Sequence, residues 1–313
     1  MNKPLPPAKF KQIRPPNENY TYFEDKERHP FLPQATSFEL MNAGWLADFA
    51  LLAYGDEEFI RRFFKLSGLT DAGFDFKFFS RQTTQCFVAH NLEFVVVSLR
   101  GTEIDNFRGA LTDWLRNFEL RPKPDDSGGR VHEGFQKDIE AVWEDGNGVK
   151  GVKSYLREVL ESGTRTLWIT GHSLGAALAT LAAERAVRDG RFAVQGVYTY
   201  GSPRVGDDAF KQAYATRGLD ERTYRFVNNV DVVPKLPPVD FYKHVGRLKF
   251  IDRDGHLHLD MTDEADAIEP DLLKRLRGKG RALLENLFGL TIPAPFANHA
   301  PIYYATRIWN NVS

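Results

Sequence analysis

ITGHSLGAA, at residues 169–177, places a Gly-x-Ser-x-Gly pattern between a strand-like run, Thr166 to Thr170, and a helix rich in alanine and leucine. A serine on such a sharp strand-to-helix turn points its hydroxyl out of the fold, and the amide that follows it is free to bind an oxyanion. Gly171 and Gly175 lack a Cβ, so strand and helix can approach each other closely there. A pentapeptide of this type can also match by chance, but the flanking strand and small-residue helix favour an exposed nucleophile, Ser173.

The composition narrows the class of protein. The chain has 313 residues, is 42% hydrophobic and carries a formal net charge of −1, which suits a large α/β domain and gives no reason to expect nucleic acid as a partner. It has no apolar run of the roughly 18 residues that span a membrane. The polar, Pro-rich segment 1–33, which we predict to be an extended arm, lacks the apolar stretch of a secretory leader.

Cysteine usage bears on the location of the protein. Cys86 is the only cysteine, so no disulfide can form within the chain, and we expect its thiol to be a small buried hydrophobe. Two locations stay open: the cytoplasm, which the lone cysteine favours, or secretion as a mature form without its leader.

Strand-like runs alternate with helix-like segments, which predicts one domain, residues 1–313, with a mostly parallel central sheet and helices on both faces. The predicted strands are 84–90, 93–99, 166–170, 194–200 and 224–228, with a hairpin over 248–259. The predicted helices are 38–54, 57–66, 133–143, 152–160, 173–187, 207–215, 271–288 and 302–309. Asn91 separates the first two strands, which are expected to pair as a hairpin.

The nucleophile needs two partners. A serine hydroxyl requires a histidine to take its proton and a carboxylate to orient that histidine. Asp231 follows the strand-like run 224–228, where catalytic groups of open α/β sheets lie, although an aspartate there can also form a turn. His299 stands in a loop before the last helix, from which its imidazole can reach over the sheet edge. We therefore predict Ser173 as nucleophile, Asp231 as acid and His299 as base.

The other histidines near or after the serine fit different roles. His172 should point back into the fold, and His244 is expected to be structural. His256 and His258 share the solvent face of the predicted hairpin, and as metal ligands they would need a third group. Acidic residues nearby are Asp252, Asp254 and Asp260. Their spacing matches no metal loop, so we expect neither a metal nor a cofactor.

Two donors are needed for the oxyanion. One should be the N–H of Leu174, directly after the predicted nucleophile. The other is expected from Arg100-Gly101-Thr102, where a valine-rich strand ends. Gly101 allows a tight exit from that strand, and Thr102 can offer both its N–H and its hydroxyl.

Two amphipathic segments are candidates for covering the site. The first, residues 103–118, has its apolar positions at Ile104, Phe107, Leu111, Trp114, Leu115 and Phe118. We interpret it as a lid or wall of an acyl pocket, the alternative being an ordinary half-buried helix. The second, 271–288, is basic and lies in a cap-like insert of about residues 260–296. We favour a solvated scaffold helix, the alternative being contact with an anionic lipid surface.

Six motifs, in this order along the chain, together resemble the class 3, or fungal-type, lipase family. They are Val97–Thr102, Val131–Phe135, Gly171–Ala179, Tyr198–Gly206, Asn229–Pro234 and Asn298–Pro301. The resemblance implies an α/β-hydrolase fold with a mobile lid soon after Thr102 and hydrolysis of carboxylic esters. It also implies a Ser173–Asp231–His299 triad and an oxyanion hole at Thr102 and Leu174.

We therefore expect a triacylglycerol-lipase-like serine hydrolase of lipid degradation that meets its ester substrate at a lipid–water interface. The alternatives are an esterase, phospholipase or feruloyl esterase of the same fold, or a non-catalytic lipid-binding scaffold. The scaffold is disfavoured because all three catalytic residue types are present in the order serine, aspartate, histidine.

Overall fold

The computed structural model describes residues 3–102, 122–161, 163–237, 240–259, 261, 292 and 294–312. The strands are β1 (Asp75–Arg81), β2 (Thr84–His90), β3 (Phe94–Leu99), β4 (Lys123–Pro124), β5 (Arg130–Val131), β6 (Thr166–His172), β7 (Val194–Tyr200), β8 (Thr223–Asn228), β9 (Arg247–Ile251) and β10 (Leu257–His258). The helices are α1 (Phe10–Ile13), α2 (Leu40–Leu52), α3 (Glu57–Leu66), α4 (Glu133–Trp143), α5 (Val152–Val159), α6 (Leu174–Arg188), α7 (Asp208–Thr216), α8 (Ala294–Ala297) and α9 (Pro301–Asn311).

Eight of these strands form one sheet in the order β1-β2-β3-β6-β7-β8-β9-β10, and β4 pairs with β5 in a small separate ribbon. The five strands from β3 to β9 run parallel, whereas β1, β2 and β10 are antiparallel to their neighbours. The predicted mostly parallel sheet is therefore confirmed, as are the hairpins of β2 with β3 and of β9 with β10. Strand β1 was not predicted, because the adjacent Phe78 and Phe79 interrupt the alternation of apolar and polar residues.

Helices cover both faces of the sheet, as the sequence predicts. Along β3, Phe94 and Val96 pack into the layer formed with α2 and α9, and Val95 and Val97 pack into the opposite layer with α4 and α6. This alternation is the two-residue period of a strand buried on both sides. Cys86, on β2, is buried in the second layer, which confirms its expected role as a small core residue.

The N-terminal segment is not the extended arm that its composition predicts. Residues 3–33 contain α1 and several turns, and their aromatic side chains enter the core. The ring centroid of Phe23 lies 5.2 Å from that of Trp45 and 4.8 Å from that of Phe49, and both partners lie on α2. Aromatic residues spaced among prolines and charges can still bury a large apolar area when a neighbouring helix receives them.

Two predictions fall on residues that the structure does not describe. The lid candidate at 103–118, with Ile104, Phe107, Leu111, Trp114 and Leu115, lies outside the described ranges, and so does the basic stretch 271–288 of the cap-like insert. Within the described residues, no helix combines the length and the apolar character needed to cross a membrane.

Candidate active site

Ser173 sits on the sharp turn between β6 and α6. Its backbone has φ 58° and ψ −125°, a strained conformation for a residue with a side chain. The two glycines of the pattern make the turn possible. A Cβ on Gly171 would lie 2.2 Å from the carbonyl oxygen of Gly175, and one on Gly175 would lie 2.1 Å from that of Leu99. Any other residue at either position would push the strand and the helix apart.

Ser173, His299 and Asp231 meet although 126 and 68 residues separate the pairs in sequence. Nε2 of His299 lies 2.8 Å from Oγ of Ser173, and Nδ1 lies 2.8 Å from Oδ2 of Asp231. Because a carboxylate only accepts hydrogen bonds, Nδ1 carries the proton, which leaves Nε2 as acceptor for the serine hydroxyl. His299 and Asp231 are both buried. This arrangement allows the imidazole to take the serine proton.

The carboxylate of Asp231 is held by groups that the sequence did not reveal. Oδ1 accepts the N–H of Val233 at 2.9 Å, so Asp231 also forms the local turn that was the alternative interpretation. Oδ2 accepts, besides His299, the hydroxyl of Tyr304 at 2.6 Å. Tyr304 lies on α9 at a position that fits the apolar face of an amphipathic helix. No sequence signal therefore marked it as a residue of the site.

The two predicted oxyanion donors follow strand β3 and strand β6, which pair as parallel neighbours up to Leu99 and Gly171. Leu174 is the first residue of α6, and the first N–H groups of a helix have no partner within it. A Cβ on Gly101 would lie 2.7 Å from the carbonyl oxygen of His172, so the chain leading into Thr102 passes directly beside the serine turn. Both donors thus come from the same edge of the sheet as the serine.

His172 points back into the fold, as expected. Its Nδ1 lies 2.7 Å from the hydroxyl of Tyr54, and its Nε2 lies 2.7 Å from the carbonyl oxygen of His299. Burial, followed by the nearby positive charge of a protonated His299, holds the pKa of His172 well below its usual range. His172 is therefore a neutral histidine in contact with the predicted base.

His244, His256 and His258 lie outside the triad, as the sequence predicts. His244 is buried and donates from Nε2 to the carbonyl oxygen of Pro234 at 2.7 Å. His256 and His258 are exposed, as predicted, and His258 lies 2.8 Å from the Asp252 carboxylate. That carboxylate also accepts the N–H groups of Asp254 and His256, both at 2.9 Å, which stabilises the hairpin turn. Although Asp252, Asp254 and His256 lie close enough to share an ion, their hydrogen bonds already explain their positions.

Comparison with known proteins finds a matching family model and several similar lipases. The family model described as Lipase (class 3) matches residues 96–241. The chain is 35% identical over 211 residues to secreted mono- and diacylglycerol lipase 1 of Fusarium solani, covering 66% of this chain and 59% of that protein. It is 34% identical over 148 residues to a lipase of Rhizomucor miehei, covering 45% of this chain and 39% of that protein. The chain thus spans less than two thirds of the length of either curated relative.

A solved structure shows the same fold. The lipase of Rhizopus microsporus var. chinensis is 24% identical, with a TM-score of 0.55 over 77% of this chain and 86% of that one. The family match contains Ser173 and Asp231, whereas His299 lies beyond it. These matches support a class 3, fungal-type lipase of the α/β-hydrolase superfamily.

Proposed function

We propose that this protein is a serine hydrolase that cleaves carboxylic esters of lipids through an acyl-enzyme intermediate. One observation carries the proposal: Ser173, His299 and Asp231 are linked by two hydrogen bonds of 2.8 Å, with the imidazole and the carboxylate buried. A strained serine turn beside an imidazole that a buried carboxylate orients is the arrangement that serine hydrolases use to make a hydroxyl nucleophilic.

Each step of the proposed reaction has a residue to perform it. Oγ of Ser173 attacks the ester carbonyl while Nε2 of His299 takes the hydroxyl proton. The N–H of Leu174 and the N–H or hydroxyl of Thr102 bind the negative oxygen of the tetrahedral intermediate. His299 then gives its proton to the departing alcohol, and a water molecule, activated by the same imidazole, releases the acid. Asp231 stabilises the imidazolium that forms in both halves of the reaction.

We propose acylglycerols at a lipid–water interface as the substrates. The two relatives described above carry the names lipase and mono- and diacylglycerol lipase, which supports an acylglycerol over a phenolic ester. We retain the interpretation of residues 103–118 as a lid or wall of an acyl pocket. For the basic stretch 271–288 we retain a solvated scaffold helix, with contact to an anionic lipid surface as the alternative. The name of the Fusarium relative includes secretion, which favours the secreted alternative for this chain over the cytoplasm.

The test of the chemistry is the substitution Ser173→Ala. Turnover of a soluble p-nitrophenyl ester should fall by a factor on the order of 10⁴–10⁶. A matched control is Ser67→Ala at the end of α3, where the hydroxyl bonds to the carbonyl oxygens of Phe63 and Phe64 in the same helix, and it should hydrolyse the ester like the parent. Activity of the Ser173→Ala protein at the parental rate would overturn the assignment.

The non-catalytic scaffold requires a different measurement. A fluorophosphonate should label the parent and the Ser67→Ala control stoichiometrically and leave Ser173→Ala unlabelled, since it reacts only with an activated serine. A scaffold would not be labelled at all.

A substrate panel then tests the substrate class. We expect the highest kcat/KM on mono- or diacylglycerol or triacylglycerol emulsions, with a rise in rate once the substrate exceeds its solubility. Preference for phosphatidylcholine or for a feruloyl ester, measured with the same titrated enzyme, would replace the acylglycerol proposal by the phospholipase or the feruloyl esterase alternative.

A further inference from the structure

Two buried hydrogen bonds connect Tyr54, near the end of α2, to the main chain of His299. The hydroxyl of Tyr54 lies 2.7 Å from Nδ1 of His172, and Nε2 of His172 lies 2.7 Å from the carbonyl oxygen of His299. A carbonyl oxygen can only accept, so Nε2 of His172 must carry the ring proton. Nδ1 is then an acceptor, and Tyr54 must be its donor. Both hydrogen bonds are therefore donated in the same direction, from Tyr54 to His172 and from His172 to the His299 carbonyl.

This direction requires both side chains to stay neutral. Burial raises the pKa of the Tyr54 hydroxyl, so it remains a donor. The ring centroids of His172 and His299 lie 4.6 Å apart. A positive charge on His172 would therefore repel the imidazolium that forms on His299 during turnover. A neutral His172 with its proton on Nε2 supports the base without that repulsion.

Tyr54 also contacts the chain that leads to the predicted oxyanion donor. A Cβ on Gly101 would lie 2.1 Å from the Tyr54 hydroxyl oxygen, so that oxygen packs directly against the Gly101 main chain. The hydroxyl thus lies between the strand end before Thr102 and the imidazole of His172. Helix α2, the end of β3, the serine turn and the loop before α9 meet at this one group.

We infer that Tyr54 and His172 form a positioning pair, which holds the main chain of His299 so that its Nε2 stays within hydrogen-bonding distance of Ser173. The inference rests on the proposed function, because it gives the pair a role in the reaction of the triad. The pair does not touch the ester. It acts through His299, since a carbonyl bond from the neighbouring imidazole fixes the residue whose side chain moves the proton.

Kinetics of four variants test the pair, with rates expressed per active site titrated by a fluorophosphonate. Tyr54→Phe should lower kcat on a soluble ester roughly 10-fold and His172→Phe roughly 100-fold, with KM changed less than about twofold. His172→Gln should keep kcat within about threefold of the parent, because its amide can donate to the His299 carbonyl and accept from Tyr54. Tyr54→Phe should not lower kcat further when His172→Phe is already present, since Tyr54 acts through His172.

The matched control for removing a buried tyrosine hydroxyl is Tyr214→Phe on α7. That hydroxyl bonds to Oγ1 of Thr223 at 2.8 Å on the opposite face of the sheet, and the variant should keep the parental kcat. If His172→Phe fails to fold, the comparison of Tyr54→Phe with His172→Gln decides. The nitrogen NMR signals of His172 in the parent provide a second measurement, and should show Nε2 protonated and Nδ1 unprotonated from about pH 5 to about pH 8.

Parental kcat in Tyr54→Phe and His172→Phe would overturn the inference, as would a proton on Nδ1 of His172. So would losses of kcat that add up in the double variant, or an equal loss of kcat in His172→Gln and His172→Phe. Failure of the proposed function is recognised separately. In that case Ser173→Ala hydrolyses the ester as fast as the parent, whatever the variants of the pair do.

Discussion

The hydroxyl of Tyr304 donates to Oδ2 of Asp231 at 2.6 Å, and this oxygen also accepts the hydrogen bond from Nδ1 of His299. The same hydroxyl accepts the N–H of Asn228, the last residue of β8, at 3.1 Å. Because the carboxylate is fully buried, water cannot replace either donor. The position of the carboxylate is thus set from the sheet and from helix α9 together.

Tyr304→Phe should therefore reduce kcat about 10-fold while KM on a soluble ester stays near the parental value. The substitution removes a hydrogen bond to a charged, buried oxygen, which contributes about 1.5–3 kcal/mol in comparable cases. Asp231 can then rotate away from the imidazole that it orients. Steady-state kinetics on titrated enzyme measure the effect.

The adjacent tyrosine is the control for this substitution. Tyr303 donates its hydroxyl to the carbonyl oxygen of Pro6 in the N-terminal segment, not to the triad. Tyr303→Phe should keep the parental kcat. If Tyr304→Phe and Tyr303→Phe gave the same kcat, the hydroxyl of Tyr304 would have no part in orienting Asp231.

Gly201→Ala should disable the triad from the opposite side. A Cβ at this position would lie 3.0 Å from Oδ2 of Asp231 and 3.0 Å from both Nδ1 and Cε1 of His299. One of these groups must move by a few tenths of an ångström, and such a displacement of a catalytic group should lower kcat at least about 10-fold. The φ of +60° adds backbone strain.

Gly218→Ala is the control that separates the effect of backbone strain at a positive φ from the effect of a Cβ contact with the triad. Gly218 has φ +72°, but a Cβ there would meet no atom within 4 Å. It should lose about 1 kcal/mol of stability, as expected for a side chain in this conformation, and keep the parental kcat. Equal kcat values for Gly201→Ala and Gly218→Ala would mean that the contact with the triad has no effect.

Patterns that are local in sequence predicted most of the sheet. Strands β2 and β7 and helices α3 and α4 have the predicted bounds, because runs of β-branched or amphipathic residues between turn residues specify such elements by themselves. The motif around Ser173 and the order of Asp231 and His299 along the chain also predicted the triad, and the structure brings these three side chains together.

Contacts between distant residues could not be predicted in this way. Tyr304 lies 73 residues from Asp231 and Tyr54 lies 118 residues from His172. Tyr304 fits the apolar pattern of α9, and Tyr54, just after α2, continues the apolar end of that helix. The burial of aromatic side chains from the segment 3–33 was missed for a related reason. Their polar composition indicates an extended chain, and only the position of α2 shows where Tyr20 and Phe23 can pack.

Asp48 on α2 should make the stability of the protein depend on pH. Its carboxylate accepts the hydroxyl of Tyr20 at 2.8 Å and the N–H of Phe23 at 2.5 Å. Burial raises its pKa from the ordinary 3.8 to about 6, against the opposite effect of the Lys3 ammonium. The folded state therefore binds this proton more tightly than the unfolded chain. The resulting stability is complete below the unfolded pKa of 3.8 and is lost as the pH rises through about 6.

Asp48→Asn isolates this contribution, because the amide does not titrate. The difference in unfolding free energy between parent and variant should change by about 2 kcal/mol between about pH 4 and about pH 7, with the parent relatively more stable at the lower pH. Urea unfolding at several pH values measures it. A difference that is constant over this range would show that Asp48 titrates alike in the folded and unfolded protein.

Asn310 should fasten the N-terminal segment to α9 without taking part in the reaction. Its side chain accepts the N–H of Lys3 at 2.6 Å and donates to the Lys3 carbonyl at 2.9 Å. Asn310→Ala should lose about 1–2 kcal/mol of stability and speed hydrogen exchange at the Lys3 amide, with kcat unchanged. The neighbouring Asn311 instead bonds to Leu257 and Gly255, so Asn311→Ala should speed exchange in the β9–β10 hairpin and leave the Lys3 amide protected. Parental exchange at the Lys3 amide in Asn310→Ala would show that other contacts, such as the ion pair of Lys3 with Glu24, hold the segment by themselves.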